Sequence, residues 1–116
     1  METTRIKEYR FDAPAGGLLR SVVNEVLNGF RLEHFDKVIG NSREEFQQLL
    51  GHFGGLPEDV VSLNLRQVLA FRNALRESLR EPGIEDFQTR TGYTFESGQR
   101  VLGELDAIIG TESATD

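Results

Sequence analysis

One stretch of this chain occurs twice, as EVLNGFRLEHFDKVIGNSREEFQQLLGHF at residues 25–53 and as ESLREPGIEDFQTRTGYTFESGQRVLGEL at residues 77–105. The copies align without a gap at an offset of 52 residues, and nine of the 29 aligned pairs are identical. A repeat of this length is one supersecondary unit, and two such units bury against each other what neither buries alone. The identical pairs are Glu25/Glu77, Leu27/Leu79, Glu33/Glu85, Phe35/Phe87, Gly40/Gly92, Glu44/Glu96, Gln47/Gln99, Leu50/Leu102 and Gly51/Gly103.

Each copy, together with the residues before it, predicts a short strand, a long helix, a connector and a second helix. Asp12 can cap a first long helix over residues 13–27, and Asn64 can cap its counterpart over residues 65–80. A short strand alone is marginal in water, so we expect the two strands to pair with each other. The predicted fold class is mainly α (small α+β), with two tandem helix-connector-helix repeats related by a pseudo-twofold and a minor two-stranded β element.

The length of 116 residues fits one domain, because a unit of about fifty residues buries too little surface to be comfortable alone. We therefore predict a single domain over residues 1–110, made of repeat 1 (about 5–53) and repeat 2 (about 57–105). The chain end contains only Thr, Glu, Ser, Ala and Asp, so residues 111–116 are predicted to form a disordered tail.

The connectors carry the most closely matched residues of the two copies. Phe35 and Phe87 are each followed five residues later by a glycine, Gly40 or Gly92. We expect both phenylalanines to be buried between the helices of their own repeat. We expect both glycines to adopt a positive φ angle, which a side chain would strain.

A helix start follows each of these glycines. Ser42 and Thr94 are typical N-cap residues, and Glu44 and Glu96 fall in the first turn that comes after them. A carboxylate in the first turn is favoured by the helix dipole. We therefore expect the second helix of each repeat to begin at these caps, with an acidic first turn.

The composition narrows the possible partners and the chemistry. Nineteen acidic residues against thirteen basic ones give a net charge of -6, which opposes binding to a phosphate backbone and favours a basic partner. The absence of cysteine removes disulfides, thiolate metal sites and Cys nucleophiles. No apolar run approaches the length that spans a bilayer, and the first residues lack an apolar signal segment, so we expect a cytoplasmic protein.

Two surfaces are candidates for partner binding. The first is formed by the acidic connectors, where charge can attract a basic protein: Glu33, His34, Asp36, Glu85 and Asp86. The second is a helical stripe of Arg72, Arg76 and Arg80, which could hold an acidic partner. The alternative for this stripe is a structural role, with the arginines paired to Glu77, Glu81 and Glu25.

Neither a catalytic site nor a metal site is indicated by the residue types and spacings. One His next to one Glu in the connector satisfies neither a zinc nor a hard-cation site. Nothing in the spacing brings a Ser to either histidine, His34 or His52, and no phosphate-binding Gly-rich loop is present. We therefore expect no metal, no cofactor and no enzymatic activity.

The predicted function is a small, acidic, non-enzymatic protein-interaction module of a bacterial cell, for example an immunity- or antitoxin-like inhibitor of a basic partner. We expect it to be a monomer or a weak dimer and to bind no membrane. Two alternatives stay open. Residues 92–100 resemble the turn and second helix of a helix-turn-helix, which would suit a nucleic-acid-associated regulator. A groove between the repeats near His34 or Tyr93 would suit a small-ligand-binding domain.

Overall fold

Helices dominate the computed structural model, which describes residues 5–29, 34–48, 58–80 and 83–114. Of these residues, 77% are helical, and they form six α-helices and a π-helical turn. The remainder includes a small two-stranded antiparallel sheet. The mainly helical fold class and its minor β element are therefore confirmed. In chain order the elements are β1 (Ile6–Asp12), α1 (Ala13–Asn24) with a π-helical turn (Glu25–Gly29), α2 (Phe35–Ile39), α3 (Arg43–Gln48), β2 (Glu58–Asn64), α4 (Leu65–Arg80), α5 (Gly83–Thr91) and α6 (Phe95–Ala114).

The two strands pair with each other, as the sequence predicts. β1 and β2 are antiparallel, with Ile6 opposite Asn64 at one end, Tyr9 opposite Val61 in the middle and Asp12 opposite Glu58 at the other end. Alternation along the strands puts Phe11, Val61 and Leu63 in the core. Ile6, Glu8, Arg10, Asp12 and Ser62 are exposed. The sheet therefore covers one side of the helices with one of its faces.

Each strand runs directly into a long helix through a side-chain cap. The N–H of Ala15 donates to Oδ1 of Asp12 at 2.9 Å, which caps α1. At α4 the cap is reciprocal, because the N–H of Gln67 donates to Oδ1 of Asn64 at 2.9 Å and the N–H of Asn64 donates to Oε1 of Gln67 at 2.8 Å. Both caps are the residues that the sequence predicts, and they satisfy N–H groups that a helix start leaves without partners.

The core lies between α1 and α4 and extends under α2, α5 and α6. Helix α4 contacts α1, α2, α5, α6 and β2, so it is the central element of the structure. Its apolar face is fully covered by these neighbours. The largest fully buried side chains are Phe46, Phe71, Phe87, Leu18, Leu19, Ile39, Leu63, Leu75, Leu105, Val22 and Val23.

The two connector phenylalanines are buried, as predicted. Phe35 is 6% exposed and Phe87 is 0% exposed. The ring of Phe35 packs edge-on against Phe46, with centroids 5.8 Å apart, and the ring of Phe87 packs edge-on against Phe95 at 6.3 Å. The ring of Phe46 reaches Phe71 on α4 at 6.1 Å. These rings anchor both connectors to the core.

The helix ends differ from the expectation in two places. The sequence predicts that the first long helix stops near residue 28. In the structure its α-helical part ends at Asn24, and a π-helical turn continues from there to Gly29. The last helix, α6, continues to Ala114, so the segment predicted to be a disordered tail from residue 111 is helical up to Ala114. Residues 111–114 include neither glycine nor proline, the residue types that most disfavour a helix interior.

The close packing of α6 against the second connector can be tested at Gly98. A Cβ at Gly98 would lie 2.8 Å from Cδ2 of Leu79 and 2.9 Å from Cζ of the fully buried Phe87. Overpacking of this kind costs about 1–3 kcal/mol. Gly103→Ala in the same helix is the matched control, because nothing lies within 4 Å of its added Cβ.

We expect Gly103→Ala to raise the free energy of unfolding by about 0.5–1 kcal/mol through helix propensity. The free energy of unfolding of Gly98→Ala should be lower than that of Gly103→Ala by about 1–3 kcal/mol. Urea titration of both variants measures this difference. Equal stabilisation by the two substitutions would mean that Phe87 does not fill the space at Gly98.

Candidate functional site

Each acidic connector is a helix end, a glycine turn and a helix start. Gly40 and Gly92 have φ angles of 95° and 80°, which confirms the predicted left-handed conformation. The N–H of Gly40 donates to the carbonyl of Asp36 at 3.0 Å, and the N–H of Gly92 donates to the carbonyl of Gln88 at 2.9 Å. A glycine in this conformation reverses the chain at the end of a helix without strain. Both connectors therefore turn in the same way.

The caps that follow the turns are also present. The N–H of Glu45 donates to Oγ of Ser42 at 3.2 Å, and the N–H of Ser97 donates to Oγ1 of Thr94 at 3.1 Å. In the first connector the N–H of Ser42 in turn donates to Oε1 of Glu45 at 3.0 Å, which completes a capping box. Glu44 lies in the first turn of α3, as predicted, together with Glu45. The carboxylate that bonds the cap is Glu45, three residues after Ser42, and Glu44 is exposed.

Glu45 is held in its ionised form by this arrangement. The N–H of Ser42 is the main cause that lowers the pKa of Glu45 below its ordinary value of 4.5. Desolvation is the next largest effect and raises the pKa, while the Ser42 hydroxyl and the Arg66 guanidinium lower it by smaller amounts. The guanidinium of Arg66 lies 3.2 Å from Oε1 of Glu45. The side chain is exposed, so the shift reflects hydrogen bonding to the charged form.

Two side chains of helix α4 bind the glycine turn of the first connector. Nε of Arg66 donates to the carbonyl of Gly40 at 3.2 Å, and Nδ2 of Asn73 donates to the carbonyl of Ile39 at 2.9 Å. These two carbonyls lie at the end of α2, where helical partners run out. Two side chains of α4 therefore supply the missing donors. Neither Arg66 nor Asn73 is predictable from a local pattern, because each contact joins residues that are distant in sequence.

A further arginine is used inside the first connector. The guanidinium of Arg43 lies 4.6 Å from the centroid of the Phe35 ring, and it donates to the carbonyl of Leu27 at 3.0 Å. A cation over an aromatic face is attracted by the ring quadrupole. Arg43 therefore covers the outer side of the buried Phe35 and links α3 to the π-helical turn.

The predicted acidic site is only partly described. His34 is exposed and has a φ angle of 55°, and Asp36 and Asp86 are exposed on α2 and α5. No hydrogen bond or ion pair joins these three side chains in the part of the chain that the structure describes. Glu33 lies outside the described residues, and for Glu85 only the backbone, in α5, is described. The connectors thus expose separate acids on two helices.

The arginine stripe on α4 is largely engaged with acids. Arg80 contacts both carboxylate oxygens of Glu77, at 2.6 and 2.7 Å, and Glu77 is 3% exposed. Arg72 contacts Asp106 on α6 at 3.2 Å, and Arg76 is exposed. The predicted pairing with Glu77 is therefore confirmed for Arg80.

Two other predicted partners of the stripe have a different outcome. Glu25 pairs with Arg90 of α5 at 3.6 Å, so its prediction as a partner of the stripe is wrong, because packing of α5 beside the π-helical turn brings Arg90 closer. Glu81 lies outside the described residues. Arg72 of the stripe contacts α6 and not a partner along α4.

The helix-turn-helix-like segment has the predicted turn. Three residues, Gly92 to Thr94, join α5 to α6. On α6, Gln99 is exposed, whereas Nη1 of Arg100 lies 3.0 Å from Oε1 of Glu104 and 3.7 Å from Oδ2 of Asp12. Arg100 is therefore ion-paired within the protein.

A cleft lies between β1 and α6. Its volume is about 490 Å³. This is not the expected position near His34 or Tyr93. Tyr93 is half-buried, and its hydroxyl lies against Gly17 of α1, where a side chain would collide with it. The lining residues of the cleft are Arg10, Phe11, Asp12, Glu104, Ala107 and Ile108.

The described ranges contain neither a metal-binding cluster nor a membrane-spanning helix. No group of three or more His, Asp or Glu side chains in residues 5–29, 34–48, 58–80 and 83–114 is placed to hold a metal ion. None of the helices in these same ranges combines the length and the apolar character needed to cross a membrane.

No known protein family, curated protein or solved structure matches this chain. The function must therefore be argued from the residues of the chain itself.

The role of the capping box can be tested through its pH dependence. Since the pKa of Glu45 is lowered in the folded state, its stabilising contribution is present above its ordinary pKa of 4.5 and is lost as the pH falls through the folded value. Glu45→Gln removes this titration and keeps an oxygen for the Ser42 N–H. The matched control is Glu44→Gln, which removes an exposed carboxylate from the same helical turn.

We expect the thermal midpoint of Glu45→Gln to fall less than that of the wild-type protein between about pH 5 and pH 3. The Glu44→Gln profile should follow the wild type. The account of the box is wrong if Glu44→Gln flattens the profile and Glu45→Gln does not.

Proposed function

We propose that this protein is a small, acidic, non-enzymatic interaction module that docks a basic protein partner, in the manner of an immunity- or antitoxin-like inhibitor. The observation that carries the proposal is a difference between the basic and the acidic side chains of the described residues. The arginines are mostly tied to groups of the protein itself, whereas the connector acids are exposed and available.

Seven of the described arginines are engaged within the protein, namely Arg10 and six whose partners are known. The six bind carboxylates, backbone carbonyls or an aromatic ring, and five of them bind a carboxylate. They are Arg43, Arg66, Arg72, Arg80, Arg90 and Arg100. Pairs of this kind on a surface contribute little stability, but they neutralise the positive charge that a nucleic acid or an acidic partner would need.

The connector acids are in the opposite situation. Asp36, Glu44, Asp86 and Glu96 are exposed, and none of them makes an ion pair in the part of the chain that the structure describes. They lie on α2, α3, α5 and α6, close to the starts of these helices. Exposed charge of one sign speeds the encounter with a partner of opposite sign and fixes its orientation. This supports a basic protein as the partner.

We infer further that the chain is a tandem duplication whose halves are related by a pseudo-twofold. The element bounds support it at the offset of 52 residues. β1 (Ile6–Asp12) corresponds in both bounds to β2 (Glu58–Asn64), α1 and α4 begin at corresponding residues, and so do α3 and α6. α2 and α5 end at corresponding residues, and each is followed by a glycine with positive φ.

Side-chain contacts support the same inference. Arg43 covers the ring of Phe35 in the first copy, and Phe95, its counterpart, packs on the ring of Phe87 in the second. The other neighbour of Phe35 is Phe46, and the counterpart of Phe46 is Gly98, where Phe87 occupies the space. Each connector ring therefore meets the same two positions of the following helix.

The strand register supports the pseudo-twofold. Tyr9 and Val61 are counterparts at the offset of 52, and they lie opposite each other in the sheet. Exchanging the two copies maps Ile6 opposite Asn64 onto Asp12 opposite Glu58, which is another pair of the same register. On this account a partner meets two acidic connectors that occupy related positions about one axis.

A nucleic-acid-associated regulator is the second candidate. The three-residue turn between α5 and α6 favours it, since a helix-turn-helix has a turn of this length that often contains glycine. A reading helix must bring its first turn to phosphates and base edges. Here that turn carries Glu96, and Arg100 is held by Asp12 and Glu104. These charges favour the protein-docking proposal.

The proposal is tested by reversing charge on the connectors. The connector variant is Asp36→Lys with Asp86→Lys, and the control variant is Glu104→Lys with Asp106→Lys, which makes the same change in net charge on the later part of α6. Wild type and both variants are immobilised and exposed to a lysate of the source organism, and captured proteins are identified by mass spectrometry.

We expect the wild type and the control variant to capture a basic protein that the connector variant loses. With that protein purified, association with the connector variant should be slower by about tenfold or more at low salt, and the difference should shrink at high salt. Capture that is equal for both variants would remove the connectors from the site. Binding of random duplex DNA in a mobility-shift assay at physiological salt would favour the regulator instead.

A further inference from the structure

The cleft between β1 and α6 has an apolar floor. Glu104, Ala107 and Ile108 are spaced by three and four residues, so they lie on one face of α6 and form one wall. The end of β1, with the buried Phe11, forms the other wall. The volume of about 490 Å³ falls in the range of about 300–1,000 Å³ that small-ligand sites have. The cleft therefore has the size and the apolar surface to take a small organic molecule.

Two carboxylates of the cleft lining are incompletely neutralised. The side chains of Asp12 and Glu104 are 56% and 42% exposed. They share one cation, because Nη1 of Arg100 lies 3.7 Å from Oδ2 of Asp12 and 3.0 Å from Oε1 of Glu104. Within the described part of the chain, Oε2 of Glu104 accepts no hydrogen bond. Two carboxylates against one guanidinium leave a negative charge and acceptor oxygens beside the apolar floor.

The rest of the lining does not offer a free cation in the same way. Arg10 lines the cleft and is already engaged within the protein. Phe11, Ala107 and Ile108 carry no side-chain donor. A ligand therefore fits this lining when it brings a charged donor for the carboxylates and an apolar body for the floor. An anion of the same shape would be repelled by Asp12 and Glu104.

We propose that the β1–α6 cleft binds a small amphipathic amine, with its protonated amino group at Asp12 and Glu104 and its apolar body on Ala107 and Ile108. A primary ammonium group has three donors, so it can bond oxygens of both carboxylates. Burial of the apolar body supplies most of the affinity, and the ion pairs select the amine over other ligands of its shape. This site is separate from the connector surface that we propose for a basic protein.

The test uses phenylbutylamine as the probe, with phenylbutanol and phenylbutyrate as its neutral and anionic counterparts. Each compound is titrated into the isotope-labelled protein at neutral pH and followed by NMR. We expect the amine to shift the backbone signals of residues 10–12 and 104–108 with a Kd of about 1 mM or tighter, the strength expected of a ligand of this size. The alcohol should bind more weakly by about fivefold or more, and the carboxylate should not bind.

Three variants separate a site from a general attraction to an acidic protein. Ala107→Trp fills the cleft from an exposed position and should abolish binding of the amine and of the alcohol. Gln99→Trp is the matched control, because Gln99 is exposed on the same helix outside the cleft, and it should leave both affinities unchanged. Glu104→Gln should weaken the amine by about fivefold or more and leave the alcohol unchanged, since it removes a charge and keeps the shape.

Circular dichroism checks that each variant is folded. Where Ala107→Trp unfolds the chain, Ala107→Gln takes its place with a smaller expected loss. Amine shifts that spread over the exposed acids of the connectors, or that persist in Ala107→Trp, overturn the proposal, because they show attraction to net charge without a site. Equal binding of the three compounds, or no binding of the amine up to its solubility limit, overturns it as well.

Discussion

The pairing of β1 with β2 is the constraint on which the rest of the structure depends. Each strand continues into a long helix without a loop, through Asp12 into α1 and through Asn64 into α4. The register of the strands therefore sets where α1 and α4 begin. A two-stranded sheet is marginal by itself, and here burial of Phe11, Val61 and Leu63 against the helices stabilises it. The sheet and the core thus depend on each other.

The connectors show how two similar sequences reach one packing density with different residues. The volume that Phe46 occupies beside Phe35 has no counterpart side chain at Gly98, and the ring of Phe87 fills that space instead. Protein interiors are packed as densely as organic crystals, so a change of this size at one position requires a change at its neighbour. The buried ring at the connector persists in both copies, and the residues around it vary.

The features that could be predicted from the sequence are those that depend on residue type and on near neighbours in the chain. The strand pairing follows from two short apolar segments, the caps Asp12, Asn64, Ser42 and Thr94 follow from residue type, and the positive φ of Gly40 and Gly92 follows from their place after a helix. The ion pairs of Arg72 with Asp106 and of Arg90 with Glu25 join elements that are distant in sequence. They depend on how the helices pack, and the same holds for the cleft between β1 and α6. The role of Glu45 in the capping box was open to prediction, because the spacing of three residues after Ser42 is the signature of that motif.

The most direct test of the account is a disulfide across the sheet of this cysteine-free chain. Glu8 and Ser62 lie opposite each other and are both exposed. Opposite residues have Cα atoms about 4.5–5.5 Å apart, within the range that a disulfide bridges, whereas diagonal neighbours are about 7–8 Å apart. The account predicts that Glu8→Cys with Ser62→Cys oxidises to an intramolecular disulfide and raises the thermal midpoint by several degrees, while Arg10→Cys with Ser62→Cys does not. Preferential oxidation of the Arg10 and Ser62 pair, or of neither, would contradict the register and with it the arrangement of both halves.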